Sequence, residues 1–285
     1  MQKDDDHLVK TYARQKIVFA HGKGVHLYDT QGREYLDFYS GIAVTSLGHG
    51  DPEFTTAVGE QVAQLVHVSN LFYNVKAGAL AESLTSHSFA KRVFFCNSGT
   101  EAAEGAIKFA RKWGHEHDPS GKKINILSFH GGFHGRTMGA LSCTANPKYQ
   151  KPFLPLIPGV SHAPFNDIAE VRKAINDDTC AVFVEPIQGE GGVNVAEKAF
   201  LSELRSLCDK HNALLIFDEV QVQPSKKKTI IFLKQCSLQV RTRSHRQALG
   251  PRVGWRHARH HDARQGPRQW HPHWRDPCQR ESRQQ

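Results

Sequence analysis

At 285 residues the chain has room for one large domain or two modest ones. Its 39% apolar and 23% charged residues describe an ordinary soluble globular protein, and with no run of 18 apolar residues a transmembrane helix is excluded. The formal charge of +9 is unevenly placed: residues 222–285 hold 4 Lys and 11 Arg against 3 acidic residues, a net +12, which leaves −3 for residues 1–221.

The opening Met1-Gln-Lys-Asp-Asp-Asp lacks an apolar signal core and is too acidic for a transit peptide. It implies a cytosolic protein or one whose leader lies outside this chain. The six cysteines (Cys96, Cys143, Cys180, Cys208, Cys236 and Cys278) form no CxxC pair and mostly sit beside apolar residues. Reduced, structural thiols are expected, in preference to disulfides or a metal site.

In chain order, Ile17-Val-Phe, Val25-His-Leu-Tyr and Glu34-Tyr-Leu-Asp-Phe read as short alternating strands, with a turn at Gln31-Gly-Arg. Residues 52–68 have helical apolar spacing and a start signal in Asp51-Pro52, and 77–87 reads as a second helix. From residue 92 strands and helices alternate. Strands are predicted at Val93-Phe-Phe-Cys, 124–129, 180–184 and 213–217, and helices at 101–113, 168–175 and 198–211. Strands apolar throughout, separated by helices, predict a mostly parallel sheet covered on both faces, with ligands at the carboxyl ends of its strands. Beyond Val240 no periodicity remains, and no structure is predicted there.

Four loops carry chemistry. Asn97-Ser98-Gly99-Thr100-Glu101 lies between a strand and a helix, where free backbone N–H groups and the helix dipole suit a phosphate; a plain N-cap by Ser98 or Thr100 is the simpler alternative. Ser128 to Thr137 contains Gly-Gly-Phe133-His134-Gly-Arg136, in which glycines admit a ligand, Phe133 can face a flat ring and Arg136 can hold a carboxylate bidentately; the alternative is a surface loop. His130 and His134 lack a suitably spaced third metal ligand, so no metal site is expected. Glu185 and Glu190 share a Gly- and Pro-containing loop with Gln188, a pairing that suits glycosidase carboxylates but finds no other support for sugar chemistry. Asp218 closes the apolar run Leu215-Ile-Phe and needs a cationic partner; a nucleotide site is disfavoured because no GxxxxGK[ST] loop exists.

Taken in order, SGTEA, FHGR, VEPIQGEGG and LIFDEVQ resemble the class III pyridoxal-phosphate aminotransferases. Tyr39-Ser-Gly-Ile-Ala-Val and Leu47-Gly-His-Gly-Asp-Pro add a resemblance to their acetylornithine branch, over about residues 7–221. The resemblance implies an α/β fold of the type I pyridoxal-phosphate enzymes (aspartate-aminotransferase-like), here incomplete. Residues 1–50 would be the amino-terminal segment of the small domain, 51–221 part of the large cofactor-binding domain, and 222–285 an irregular tail foreign to the family. It implies pyridoxal 5'-phosphate as cofactor, with its phosphate on Ser98, Gly99 and Thr100, Phe133 on the ring, Asp218 at the pyridinium nitrogen and Gln221 at the ring hydroxyl. Arg136 would bind the substrate α-carboxylate, and Glu185 and Glu190 would shape the substrate side, Glu190 pairing with a late arginine of the family. The implied activity is transamination between N-acetylornithine and 2-oxoglutarate in arginine biosynthesis, by a homodimer that in eukaryotes is mitochondrial, with no membrane or nucleic-acid partner. Ornithine, succinylornithine and 4-aminobutyrate enzymes are neighbouring alternatives. A non-catalytic fragment, or a binding protein whose basic tail grips nucleic acid, represents a different class.

The chain departs from the family at its central residue, the Schiff-base lysine, which lies in an LAK context well after DEVQ. Lys226, Lys227 and Lys228 come too early, and Lys234 stands in Leu-Lys-Gln-Cys. This predicts little or no activity for the chain as written. The genetic code offers a cause. Codons for residues 240–252, read one base later, permit CGLGRTGKLWAH, the continuation expected after DEVQ. Residues 263–267 permit LAKA, with a lysine codon straddling Gln265 and Gly266, and residues 270–274 permit GIPIG. Val222 begins GT, and Gln239 with the first base of Val240 can supply AG. A retained short intron that throws the frame is therefore expected.

Overall fold

The computed structural model describes residues 2–220 and the backbone of Gln239–Arg241, all within one compact unit, Met1–Arg243. After a short helix α1 (Gln2–His7), β1 (Phe19–Lys23), β2 (His26–Asp29) and β3 (Glu34–Leu36) form an antiparallel sheet in sequence order. The β2–β3 turn is organised by Asp29, which accepts hydrogen bonds from Gln31 N, Arg33 N, Arg33 Nε and Tyr35 Oη. Desolvation pushes the Asp29 carboxyl up, but these donors outweigh it and hold it down at about 2.

A single turn α2 (Ser40–Ala43), whose residues have positive φ, leads to α3 (Pro52–Gln64) and α4 (Val75–Ser86). α3 starts as the sequence predicts, with Asp51 accepting from Phe54 N, whereas α4 starts two residues before the expected 77, with Asn74 as its cap accepting from Lys76 N and Ala77 N. Neither buries a residue, and the segment around them leaves Phe38 92% and Leu71 86% exposed.

From α5 (Gly99–His117) onward the chain is α/β. β4 (Asn125–Phe129), β5 (Val160–Ala163), β6 (Thr179–Val184) and β9 (Leu214–Phe217) are parallel, and β10 (Gln239–Arg241) pairs antiparallel with β9, giving the order β10-β9-β6-β4-β5. Connecting them are α6 (Met138–Cys143), α7 (Pro147–Gln150) with a 3-10 turn at Lys151–Phe153, α8 (Ile168–Ala174), the ribbon β7 (Ile187–Gln188) and β8 (Asn194–Val195), and α9 (Lys198–Lys210).

Strand alternation sorts the core into two layers. Leu127, Phe129, Val182, Val184 and Leu215 meet α8 and α9 through Val171, Phe200, Leu204 and Leu207. Ile126, Ala181, Phe183, Leu214 and Ile216 meet Ala103, Ala106, Ile107 and Ala110 of α5 and Ala140 and Cys143 of α6. The small residues on α5 let that helix lie close to the sheet. At Gly114 the approach is tightest, since a Cβ there would stand 2.0 Å from Lys123 O. Lys123 is buried and crosses the amino ends of the strands, its Nζ donating to Asp177 O at 2.7 Å and His211 O at 2.9 Å.

Several expectations need correction. Val93–Cys96 is not a strand: among the described residues it pairs with neither edge of the sheet, β5 or β10. It runs beside α5 instead, with Phe94 edge-on to Phe109. β5 escapes the sequence reading because Val-Ser-His-Ala lacks an apolar run. Apart from the backbone of β10, the predicted irregular tail at 222–285 lies outside the described residues. Cys96, Cys143, Cys180 and Cys208 are free thiols, while Cys236 and Cys278 lie outside that set. Burial pushes Cys143 and Cys208 up to about 12 and Cys180 to about 11, which keeps them protonated and inert.

Candidate active site

The loops after β4, β6 and β9 leave the same carboxyl edge of the parallel sheet, and side chains tie them together. Asp218, one residue beyond β9, is anchored by its backbone N–H donating to Val184 O at 2.8 Å. Its Oδ2 lies 2.8 Å from His134 Nδ1, with the two side chains only 9% and 1% exposed. The ring of His134 is in turn edge-on to Phe183, and its backbone N–H donates to Thr144 Oγ1 at 2.9 Å. Asp218 thus has the partner that a buried carboxylate requires, and it is a histidine rather than a fixed cation.

Glu185 is buried behind the same loop. Its Oε2 accepts from Phe133 N at 2.9 Å and its Oε1 from Gly189 N at 3.4 Å. Burial raises its carboxyl to about 6, against the opposing pull of His134 and the Phe133 N–H. Gln188, also buried, donates from Nε2 to His130 O at 2.8 Å and accepts from Asn194 Nδ2. These contacts make Glu185 and Gln188 braces between loops. Glu219 is raised by burial first and by the neighbouring Asp218 second.

The amino end of α5 approaches from the other side. Ser98 is its N-cap, accepting from Glu101 N at 3.2 Å, while the Glu101 carboxylate accepts from Asn97 N at 2.7 Å. The simple capping role is therefore present. Yet the N–H groups of Gly99 and Thr100 donate to no protein oxygen among the described residues, so donors at the positive end of a 19-residue helix remain available to an anion. Thr100 packs against the Gly-rich loop so closely that a Cβ at Gly135 (φ +128°) would meet its Oγ1 at 2.4 Å. Glu104, one turn on, accepts from Thr137 Oγ1 at 2.5 Å, Gly139 N at 2.8 Å and Ala140 N at 3.2 Å, which fixes the loop behind Arg136.

Arg136 and Glu190 are exposed, Phe133 half-buried. The Arg136 guanidinium carbon lies 3.6 Å from the Tyr149 ring centroid and 5.3 Å from that of Phe133. Glu190 accepts from Tyr149 Oη at 2.9 Å. The structure thus gathers Ser98, Gly99, Thr100, Phe133, Arg136, Glu185, Glu190 and Asp218 on connected loops; Gln221 lies outside the described residues. The sequence reading missed His134 as the partner of Asp218, Glu104 as organiser of the loop and Tyr149 as a contact of both Arg136 and Glu190. For His134 a signal existed: a strand-ending Asp demanded a partner, and a histidine stood in the adjacent motif. A groove of about 630 Å³ along Ile107, Lys108, Arg111 and Ile157 is lined by none of Phe133, Arg136, Glu190 or Asp218. No group of His, Cys, Asp and Glu suited to a metal ion, and no helix long and apolar enough to cross a membrane, occurs among the described residues.

Residues 9–223 match the family model of the class-III aminotransferases. The chain is 52% identical over 221 residues to the mitochondrial acetylornithine aminotransferase of Debaryomyces hansenii, covering 75% of this chain and 47% of that one. It is 49% identical over 221 residues to the acetylornithine aminotransferase of Gloeobacter violaceus, covering 76% and 54%. Among solved structures, the N-acetylornithine aminotransferase of Stenotrophomonas maltophilia superposes with TM-score 0.64 at 39% identity, over 77% of this chain and 53% of that one. The ornithine aminotransferase of Toxoplasma gondii gives 0.72 at 33%, over 77% and 52%. The chain spans about half the length of the relatives it matches. Its parallel sheet with helices on both faces is that of the type I pyridoxal-phosphate fold. This chain belongs to the class-III aminotransferase family, whose cofactor is pyridoxal phosphate.

Proposed function

We propose that residues 1–221 carry the amino-terminal part of an enzyme that moves an amino group from N-acetylornithine to 2-oxoglutarate in arginine biosynthesis. The observation that supports this reading is the meeting of three loops at one sheet edge with the amino end of α5, near the buried Asp218–His134 pair, in a chain about half identical to relatives named for that reaction. In this reading residues 1–50 begin the small domain and 51–221 form part of the large one.

When bound, pyridoxal phosphate supplies an electron sink for the carbanion left by proton loss from the substrate. The residues fit such a group: two unspent N–H donors, at Gly99 and Thr100, follow the Ser98 cap and suit its phosphate. Phe133 offers its ring an apolar face. Asp218, steadied by His134, favours a protonated ring nitrogen, and Gln221 completes the set at the ring hydroxyl. Arg136 receives the substrate carboxylate. Glu190 shapes the substrate side directly, and Glu185 does so through the Phe133 backbone. The enzyme works as a homodimer, and in a eukaryotic source it is mitochondrial, as the names of its fungal relatives indicate.

For the chain as written we propose no turnover, because the lysine that anchors the cofactor is replaced by out-of-frame sequence after Gln221. The test compares the 285-residue chain with a version in which residues 222–239 and one further base are removed from the coding sequence. After incubation with pyridoxal phosphate and borohydride, the restored chain should carry a covalent cofactor mass at its LAK lysine and the original should carry none. A labelled lysine in the original chain, or genomic DNA without GT and AG at the two boundaries, overturns the reading.

A further inference from the structure

Tyr149 touches two charged residues that do not touch each other. It sits in α7, a single turn fixed at both ends: Asn146 Oδ1 accepts from Lys148 N at 3.1 Å, and Gln150 Nε2 donates to Leu141 O at 3.1 Å, Ser142 O at 3.4 Å and Thr144 O at 2.9 Å. From this anchored position the ring face takes the Arg136 guanidinium at 3.6 Å and the hydroxyl donates to Glu190 Oε1 at 2.9 Å. Among the described residues Arg136 forms no ion pair, and its N–H groups donate no hydrogen bond. A guanidinium held through its face keeps the N–H fork at its edge unspent. A free carboxylate beside it would occupy that fork in the bidentate geometry that carboxylates and guanidinium groups share.

We propose that Tyr149 is a positioning residue of the carboxylate-binding subsite: it holds Arg136 on its ring and tethers Glu190 by its hydroxyl, so that the protein's own acid does not cap the arginine. This rests on the reading that Arg136 receives the substrate carboxylate. The ligand class is a small mono- or dicarboxylate, and specificity for it depends on a hydroxyl that need not touch the ligand.

The test is the rate at which phenylglyoxal modifies Arg136 in the 285-residue chain, followed by peptide mass spectrometry. Tyr149→Phe keeps the ring and releases Glu190, which then pairs with Arg136 and slows modification about threefold, the scale of an exposed ion pair. Adding Glu190→Gln to Tyr149→Phe should restore the wild-type rate, a rescue that a merely structural tyrosine does not give. Local unfolding has the opposite sign, because it would speed the modification. A wild-type or faster rate in Tyr149→Phe, or failure of the double variant to recover, overturns the proposal. In a separate arm 2-oxoglutarate should protect Arg136 in the wild-type chain. Absence of protection, with the two variants behaving as described, defeats the carboxylate role of Arg136 while leaving the tether intact.

Discussion

His134 Nδ1 and Asp218 Oδ2, 84 residues apart in sequence, stand 2.8 Å apart in the interior of the site. The contact joins the loop after β4 to the loop after β9 and gives a strand-ending carboxylate its partner. His134→Ala strands that carboxylate in a buried place, and the loss should be about 3 kcal/mol in a urea unfolding curve. His134→Asn, which can still donate to Asp218, should lose clearly less. Equal losses in both variants would show that ring packing on Phe183, rather than the hydrogen bond, is what matters.

Glu185 gives the molecule a signed pH dependence. Its carboxyl is raised by burial from 4.5 to about 6, so the folded state binds this proton more tightly than the unfolded state. Its contribution to stability is therefore greatest below about pH 4.5 and declines as pH rises through about 6. Glu185→Gln removes the charge and keeps an acceptor for Phe133 N. Comparing the two proteins by denaturant midpoint at about pH 4.5 and about pH 7.5, the variant should gain about 2 kcal/mol on the wild type across that interval. A stability difference independent of pH would rule out a proton held in this way.

Gly114→Ala should destabilise although alanine favours helix. The added Cβ meets the carbonyl of Lys123 at 2.0 Å, and backbone cannot rotate away as a side chain can. We expect a cost of about 2 kcal/mol, seen as a lower thermal midpoint, whereas Gly78→Ala in α4, where nothing lies within 4 Å, should be neutral or stabilising. Similar midpoints for the two variants would contradict the close seating of α5 on the sheet.

Glu104→Ala removes the acceptor shared by Thr137 Oγ1, Gly139 N and Ala140 N. The start of α6 should loosen, with a loss of about 1–3 kcal/mol and faster amide exchange at residues 139 and 140. Glu104→Gln should recover part of the protection. Unchanged exchange in Glu104→Ala would mean that the loop is fixed by Thr144 alone, whose hydroxyl accepts from His134 N and donates to Gly135 O.

The parts of the fold that were legible are those whose signal is local. Apolar runs at 180–184 and 213–217 read as buried strands because only a strand covered on both faces tolerates them, and 101–113 read as a helix from its apolar spacing, though not that its alanines let it lie close to the sheet. Val93–Cys96 has the composition of a strand, but composition does not supply a hydrogen-bonding neighbour. β5 is the converse, a polar segment made into a strand by β4 beside it. In the site, the motifs put Phe133, Arg136, Glu185, Glu190 and Asp218 on loops that the structure brings to one edge of the sheet. They did not tell that Glu185 turns inward to the Phe133 backbone, nor that Tyr149 lies between Arg136 and Glu190, because both facts depend on how α6 and α7 return across the sheet edge.

The bonds that lock the loops together, Glu104 to Thr137, Phe133 to Glu185, His130 to Gln188 and His134 to Asp218, all close between residues 104 and 218. A growing polypeptide has therefore delivered every member of this network once Asp218 clears the ribosome. Whatever the message encodes after Gln221 is added to a chain that already holds both partners of each of these bonds.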